Sequence, residues 1–116
     1  MIILVFNLSI TVTSKCFATT GSVTGTVQYY RVHDSTMNPA WAPPLFWFTL
    51  NDVTSAGTCV LFNGNVLFVA SSKEELALII SSMTSGHAVS VDYDDSVDLV
   101  NGYCRASAMT AGNPPP

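Results

Sequence analysis

One segment of this chain has the pattern of an amphipathic helix, and the segments on both sides of it have the pattern of β-strands. Serine–glutamate pairs three residues apart, Ser71–Glu74 and Ser72–Glu75, offer two registers of an N-terminal capping box, and Gly86 marks the end of the helix. The predicted helix covers about 71–85. Its apolar face consists of residues that recur at helical spacing, Leu76, Ile79, Ile80 and Met83.

The flanking segments are rich in β-branched and aromatic residues, which favour strands. Three of them, at 22–33, 45–50 and 58–70, precede the helix, and two, at 87–95 and 102–110, follow it. The third segment reads either as one bulged strand or as a hairpin that turns at Asn63 and Gly64. Strict alternation in the first segment would place Val23, Val27, Tyr29 and Arg31 on one face.

This order predicts a mainly β fold, and we expect a small OB-like five-stranded barrel. The helix between the third and fourth strands would cover the open end of the barrel core. The alternative is an α+β sheet with the helix packed on one face. Periodicity alone does not separate the two architectures.

The length of 116 residues suits one domain, which we place at 19–111, followed by a flexible tail at 112–116. Only four Lys and Arg residues are present and the net charge is −4, which argues against nucleic acid as a partner. The sequence of 1–18 is an apolar run that ends in small residues, as a secretory signal does, although no basic residue precedes it. The alternative for this segment is an N-terminal strand.

Export would place the protein in a secreted or periplasmic setting. Polar residues interrupt the N-terminal apolar run, which is also short for a bilayer, so we expect no membrane span. In an oxidising compartment, Cys59 and Cys104 are candidates for a disulfide between two strand-like segments. The alternative is a pair of buried free thiols.

The stretch GTCVLFNGNVLFVASSKEELALIISSMTSGHAVSVDY, with VTGTVQYYRVHD upstream, resembles the B subunits of subtilase cytotoxin and typhoid toxin. The shared features are a Cys-bearing strand, a helix that ends before a glycine, and an alternating strand that finishes in tyrosine. The resemblance implies a secreted OB-fold subunit that assembles as a homo-oligomer, possibly a pentamer, and binds sialylated host-type glycans. It also implies a possible enzymatic A subunit as partner.

Two glycan-binding positions follow from this resemblance. Thr24 stands where the family has the serine that holds the sialic acid carboxylate, and threonine keeps the hydroxyl. Tyr93 stands where the family has a tyrosine at the end of the strand after the helix. The resemblance therefore predicts that Thr24 and Tyr93 flank one shallow polar pocket.

The sequence contains only weak signals for a metal site or a catalytic site. Asp92, Asp94, Ser96 and Asp98 alternate as the first ligands of a calcium loop do, but Val97 stands where such a loop needs glycine. His33 lies beside Asp34 without a recognisable nucleophile motif. We therefore expect no enzyme, no metal and no cofactor. The alternative to glycan binding is a stand-alone exported structural or interaction protein with no sugar site.

Overall fold

The computed structural model describes residues 20–36, 38–97 and 99–112. The expected signal segment or N-terminal strand at 1–18 lies outside these ranges, as does the predicted tail apart from Gly112. The described chain forms six strands and one α-helix, namely β1 (Thr20–Val32), β2 (Phe46–Leu50), β3 (Leu61–Phe62), β4 (Asn65–Ala70), α1 (Lys73–Ser85), β5 (Ala88–Asp94) and β6 (Cys104–Ala111).

Five of these strands close into a barrel. The strand order is β2-β1-β5-β6-β4, and an antiparallel pairing of β2 with β4 closes the ring. Only the β4–β6 pair among these neighbours is parallel. The helix lies between the third and fourth barrel strands in the chain. The predicted OB-like barrel is therefore confirmed, and the open α+β sheet is excluded because the sheet closes on itself.

The segment at 58–70 is a hairpin rather than one bulged strand. Asn63 and Gly64 both have positive φ, 52° and 88°, as the two central residues of a type I′ turn do. The strand β3 has only two residues and pairs with the start of β4. It therefore adds a short ribbon to the barrel rather than a sixth barrel strand.

The core of the barrel is built largely by β2 and β4. The ring of Phe48 lies 6.2 Å from that of Phe46 and 5.7 Å from that of Phe68, measured between centroids. All three side chains are buried, and burial of one such ring contributes about 1.5–3 kcal/mol to folding. The predicted central strand at 45–50 is confirmed.

Strict alternation along β1 fails at a β-bulge. The pairing of β1 with β2 changes register between Val27 and Tyr29. A bulge adds one residue to the strand, so later side chains change faces. Val27 is buried, Tyr30 packs against the core, and Tyr29 is 59% exposed. The expectation that Tyr29 shares the face of Val27 is therefore wrong.

The helix packs against the barrel through a face that partly matches the predicted one, since Leu76 and Ile79 contact the core as predicted. Ile79 is fully buried and Ser82 is 4% exposed, while Leu78 packs partly buried against the core. Ile80 and Met83 are 40% and 42% exposed, so their predicted place in the buried face is wrong. The contact face is therefore formed by Ile79 and Ser82, with Leu76 and Leu78 partly buried beside them.

Both ends of the helix follow the capping prediction. Ser72 is the N-cap, with extended backbone, and its hydroxyl oxygen accepts a hydrogen bond from the amide of Glu75 at 3.1 Å. The second of the two predicted registers is thus the one adopted. Gly86 has φ 75° and its amide donates to the carbonyl of Met83. Within the described ranges, no helix has the length and apolar character needed to cross a bilayer.

Candidate functional site

Tyr93 places a polar group at one end of the barrel. It follows Val89 and Val91 on the inner face of β5, and its ring lies 6.2 Å from that of Phe68. The side chain is only 8% exposed, yet its hydroxyl has no hydrogen-bond partner among the described residues. The hydroxyl is not one of the fully buried polar atoms that lack a partner, so it is accessible to water or to a ligand.

Gly21 makes room for this hydroxyl. It is paired with Tyr93 across the β1–β5 ladder, so both residues face the same side of the sheet. A Cβ atom added at Gly21 would lie 2.6 Å from the phenolic oxygen and 2.9 Å from the ring carbon that bears it. The absence of a side chain at Gly21 therefore holds open the position of the Tyr93 hydroxyl.

The hydroxyl meets a cleft of about 860 Å³. The start of β1, the end of β5 and the start of β6 meet at this end of the barrel, and the cleft is lined by residues 20–22, 92–94 and 105–107 together with Glu75 and Val97. Ligand sites for small molecules span about 300–1,000 Å³, so this cleft has room for a ligand of more than one sugar ring.

Four charged side chains line this cleft. Glu75 comes from the first turn of the helix, Asp92 and Asp94 from β5, and Arg105 from β6. Asp92 and Asp94 alternate with Tyr93, so they leave the sheet on its outer face while Tyr93 enters the barrel. Three carboxylates against one guanidinium give the lining a formal charge of −2.

Arg105 and Asp94 form hydrogen bonds with hydroxyl and amide groups of the described residues. Arg105 donates from Nη2 to the Ser71 hydroxyl at 2.7 Å. The Asp94 carboxylate accepts from the amide of Ser96 at 3.0 Å and from its hydroxyl at 3.2 Å. Among the described residues, the carboxylate of Asp92 has no partner.

A second, smaller groove continues from the cleft along the helix. Its volume is about 280 Å³, and Glu74, Leu78 and Met109 contribute to its walls. Glu75 and Ser107 line both spaces. The two spaces are therefore adjacent, and the smaller one lies between α1 and β6.

Thr24 lies outside the cleft. It is exposed on β1, it pairs with Ser90 of β5, and its hydroxyl is 2.8 Å from that of Ser90. Tyr93 is three residues beyond Ser90, and an odd offset along a strand places two side chains on opposite faces. Thr24 is not part of the lining of the cleft. The structure therefore does not bring Thr24 and Tyr93 together around one pocket.

Cys59 and Cys104 are joined by a disulfide, with their Cα atoms 5.5 Å apart. Cys104 is the first residue of β6, but Cys59 lies in the loop before β3, so the expectation that both belong to strands is wrong for Cys59. The same loop is held by Asp95, whose carboxylate accepts from the amide of Thr58 at 2.8 Å. The disulfide therefore ties this loop to β6 next to the cleft.

The residues considered for catalysis are spread over the molecule. His33 stacks on Trp41 with ring centroids 5.9 Å apart, and its buried Nδ1 has no hydrogen-bond partner within the part of the chain that the structure describes. The carboxylate of Asp34 accepts from the amide and hydroxyl of Thr36, both at 2.6 Å. Within the described ranges, no group of three or more His, Cys, Asp or Glu side chains is placed to hold a metal ion.

The sequence points to Tyr93, Asp92 and Asp94, which line the cleft, but assigns no binding role to Glu75 or Arg105. Glu75 was assigned only to the helix cap, and Arg105 only to the last strand. Two features of the sequence could have pointed to Arg105 as a site residue. It is one of only four Lys and Arg residues, and it directly follows a candidate disulfide cysteine. Its proximity to Glu75 depends on barrel closure, which no local pattern reveals.

Comparison of this chain with protein-family models, with curated proteins and with solved structures finds no match. These comparisons give no link to the toxin B subunits. The resemblance to that family therefore stays a hypothesis, and the OB-like topology stands on the strand pairings themselves.

Proposed function

We propose that this protein is an exported glycan-binding protein that assembles as a homo-oligomeric ring. The observation that carries the proposal is the Tyr93 hydroxyl, which is unpartnered among the described residues and borders a cleft lined by several polar side chains. Sugars are bound by convergent hydroxyls, carboxylates and guanidinium groups, and each hydrogen bond contributes about 0.5–1.5 kcal/mol net.

The resemblance to toxin B subunits supports the other parts of the proposal. It favours secretion or a periplasmic location, a ring of five copies and an enzymatic A subunit as partner. The ligand that the resemblance by itself implies is a sialylated host glycan. The disulfide between Cys59 and Cys104 supports export, because disulfides persist mainly in oxidising compartments. A ring would compensate for weak single sites, since several sites on one cell surface add about 10²- to 10⁴-fold in avidity.

The test is a glycan array probed with the full chain, after native mass spectrometry has established its oligomeric state. Wild-type protein should bind, and Tyr93→Phe, which keeps the ring and removes the hydroxyl, should lower the signal. A blank array with a correctly folded protein would contradict the proposal. A monomer at high micromolar concentration would contradict the ring.

Thr24→Ala serves as the matched variant for the position that the resemblance implies. A binding site in the cleft predicts that binding is retained, since Thr24 does not line the cleft. Loss of binding with Thr24→Ala, together with unchanged binding of Tyr93→Phe, would move the site to the outer face of β1. Melting temperatures of both variants show whether either change acts through folding.

The second candidate is a stand-alone exported interaction protein without a sugar site. It is favoured by three consecutive apolar residues, Val60, Leu61 and Phe62, that are all exposed next to the β3–β4 turn. Contiguous exposed apolar surface is typical of protein interaction sites. This candidate predicts a blank array, and replacement of Leu61 and Phe62 by serine would then abolish self-association or partner binding.

A further inference from the structure

We propose that the cleft recognises a glycan terminus without negative charge, and that its carboxylates disfavour sialylated glycans. This inference rests on the proposed glycan-binding function and names the ligand class of the same site. It departs from the sialylated ligand that the family resemblance implies, and it is carried by the charges of the described residues.

The first step is the sign of the net charge on the residues that line the cleft. Glu75, Asp92, Asp94 and Arg105 all line the cleft, which gives the lining a formal charge of −2. The whole chain also carries a net charge of −4, so the surroundings do not reverse that sign. A carboxylate on the ligand would add to like charges in a concave site, where low-dielectric walls strengthen repulsion.

The second step concerns Arg105, the cation of this lining. Its Nη2 atom already donates to the hydroxyl of Ser71, just before the helix N-terminus, at 2.7 Å. The neighbouring Glu75 carboxylate accepts from the Ser71 amide at 3.3 Å. An anion that approached Arg105 would therefore also approach the Glu75 carboxylate. Arg105 is better placed to donate to a neutral hydroxyl or ring oxygen than to anchor a carboxylate.

The third step shows that the lining is more than a group of acidic side chains. The ring of Tyr93 is buried, its hydroxyl has no partner among the described residues, and the phenolic oxygen fills the space that a side chain at Gly21 would take. The hydroxyl can both donate and accept. It stays accessible at the wall of the cleft, where it can bind a polar group of a ligand.

An uncharged sugar satisfies these groups together. Its hydroxyls can donate to the partner-free carboxylate of Asp92, and its oxygens can accept from Arg105 and from Tyr93. Val97 is 51% exposed at the rim and offers an apolar surface to the C–H face of the ring. No carboxylate on the ligand is required by this arrangement.

The experiment compares two immobilised oligosaccharides that differ only in a terminal sialic acid. The full chain should bind the neutral glycan at least about tenfold more tightly at low ionic strength, and the preference should shrink as salt screens the carboxylates. Asp92→Asn should weaken neutral binding and reduce the preference several-fold. Asp52→Asn is the matched control, because it removes the same charge from a turn that does not line the cleft, and it should change neither value.

Equal or tighter binding of the sialylated glycan, with loss of that binding in Arg105→Gln, would overturn this inference and leave the proposed glycan-binding function standing. A preference for the neutral glycan that does not respond to salt or to Asp92→Asn would also overturn it, since the charge of the cleft would not be its cause. No binding of either glycan would overturn the proposed function and this inference with it.

Discussion

The phenolic oxygen of Tyr93 lies in the space that a side chain at Gly21 would occupy, since a Cβ added there would come within 2.6 Å of it. The two residues are directly paired across β1 and β5. This relationship couples a backbone position on one strand to the candidate binding group on the next. It gives a physical reason for a glycine as the second residue of β1.

Gly21→Ala should therefore displace the Tyr93 ring and its hydroxyl. Overpacking of this kind typically costs about 1–3 kcal/mol of the free energy of unfolding. Glycan binding should fall with it, because the hydroxyl leaves its position at the cleft. Chemical denaturation and binding on the same preparations measure both effects.

The matched background is Tyr93→Phe, which removes the oxygen nearest to the added Cβ. The Phe substitution alone should change stability by no more than about 0.5 kcal/mol, because the hydroxyl has no described partner to lose. Gly21→Ala should cost less in this background than in wild type. Identical costs in the two backgrounds would show that the hydroxyl does not contact Gly21.

Neighbouring isoleucines of the helix provide the second prediction. Ile79 is fully buried and Ile80 is 40% exposed, so Ile79→Ala should cost about 2–5 kcal/mol and Ile80→Ala much less. The two variants remove the same atoms from adjacent positions, which makes each the control for the other. A larger loss at Ile80, measured by urea denaturation, would mean that the helix is rotated differently on the barrel.

The disulfide provides the third prediction. It closes a loop with a sequence separation of 45, and such a cross-link contributes about 3–4 kcal/mol by restricting the unfolded chain. Replacing Cys59 and Cys104 by alanine together should lower stability by about this amount. Thiol titration of the unreduced, unfolded protein tests the bond directly, and titration of both cysteines would contradict it.

The helix cap provides the fourth prediction. Ser72→Ala removes the hydroxyl oxygen that accepts from the Glu75 amide and should cost about 1 kcal/mol. Ser81→Ala is the control on the same helix, at an exposed position where alanine favours helix formation slightly. Thermal unfolding followed by circular dichroism distinguishes them, and equal melting temperatures for the two variants would show that Ser72 does not cap the helix.

The element order and the local chemistry of turns and caps could be predicted from the sequence. The Ser72–Glu75 pair, Gly86 and the Asn63–Gly64 turn each act through backbone groups a few residues away, so the relevant partners are visible in the local sequence. The alternation of Val89, Val91 and Tyr93 likewise indicates which side chains of β5 share a face. The caps fix the position of the helix between the third and fourth barrel strands, and this order of elements is typical of an OB-like barrel.

Tertiary structure decided which surfaces meet. The bulge after Val27 changes the face of the later residues of β1, and the packing of the helix buries Ser82 while it leaves Ile80 exposed. Both effects arise from packing between elements distant in sequence, so periodicity within one element does not contain them. The cleft has the same origin, because Gly21, Tyr93 and Arg105 become neighbours only when the barrel closes and brings one end of three strands together.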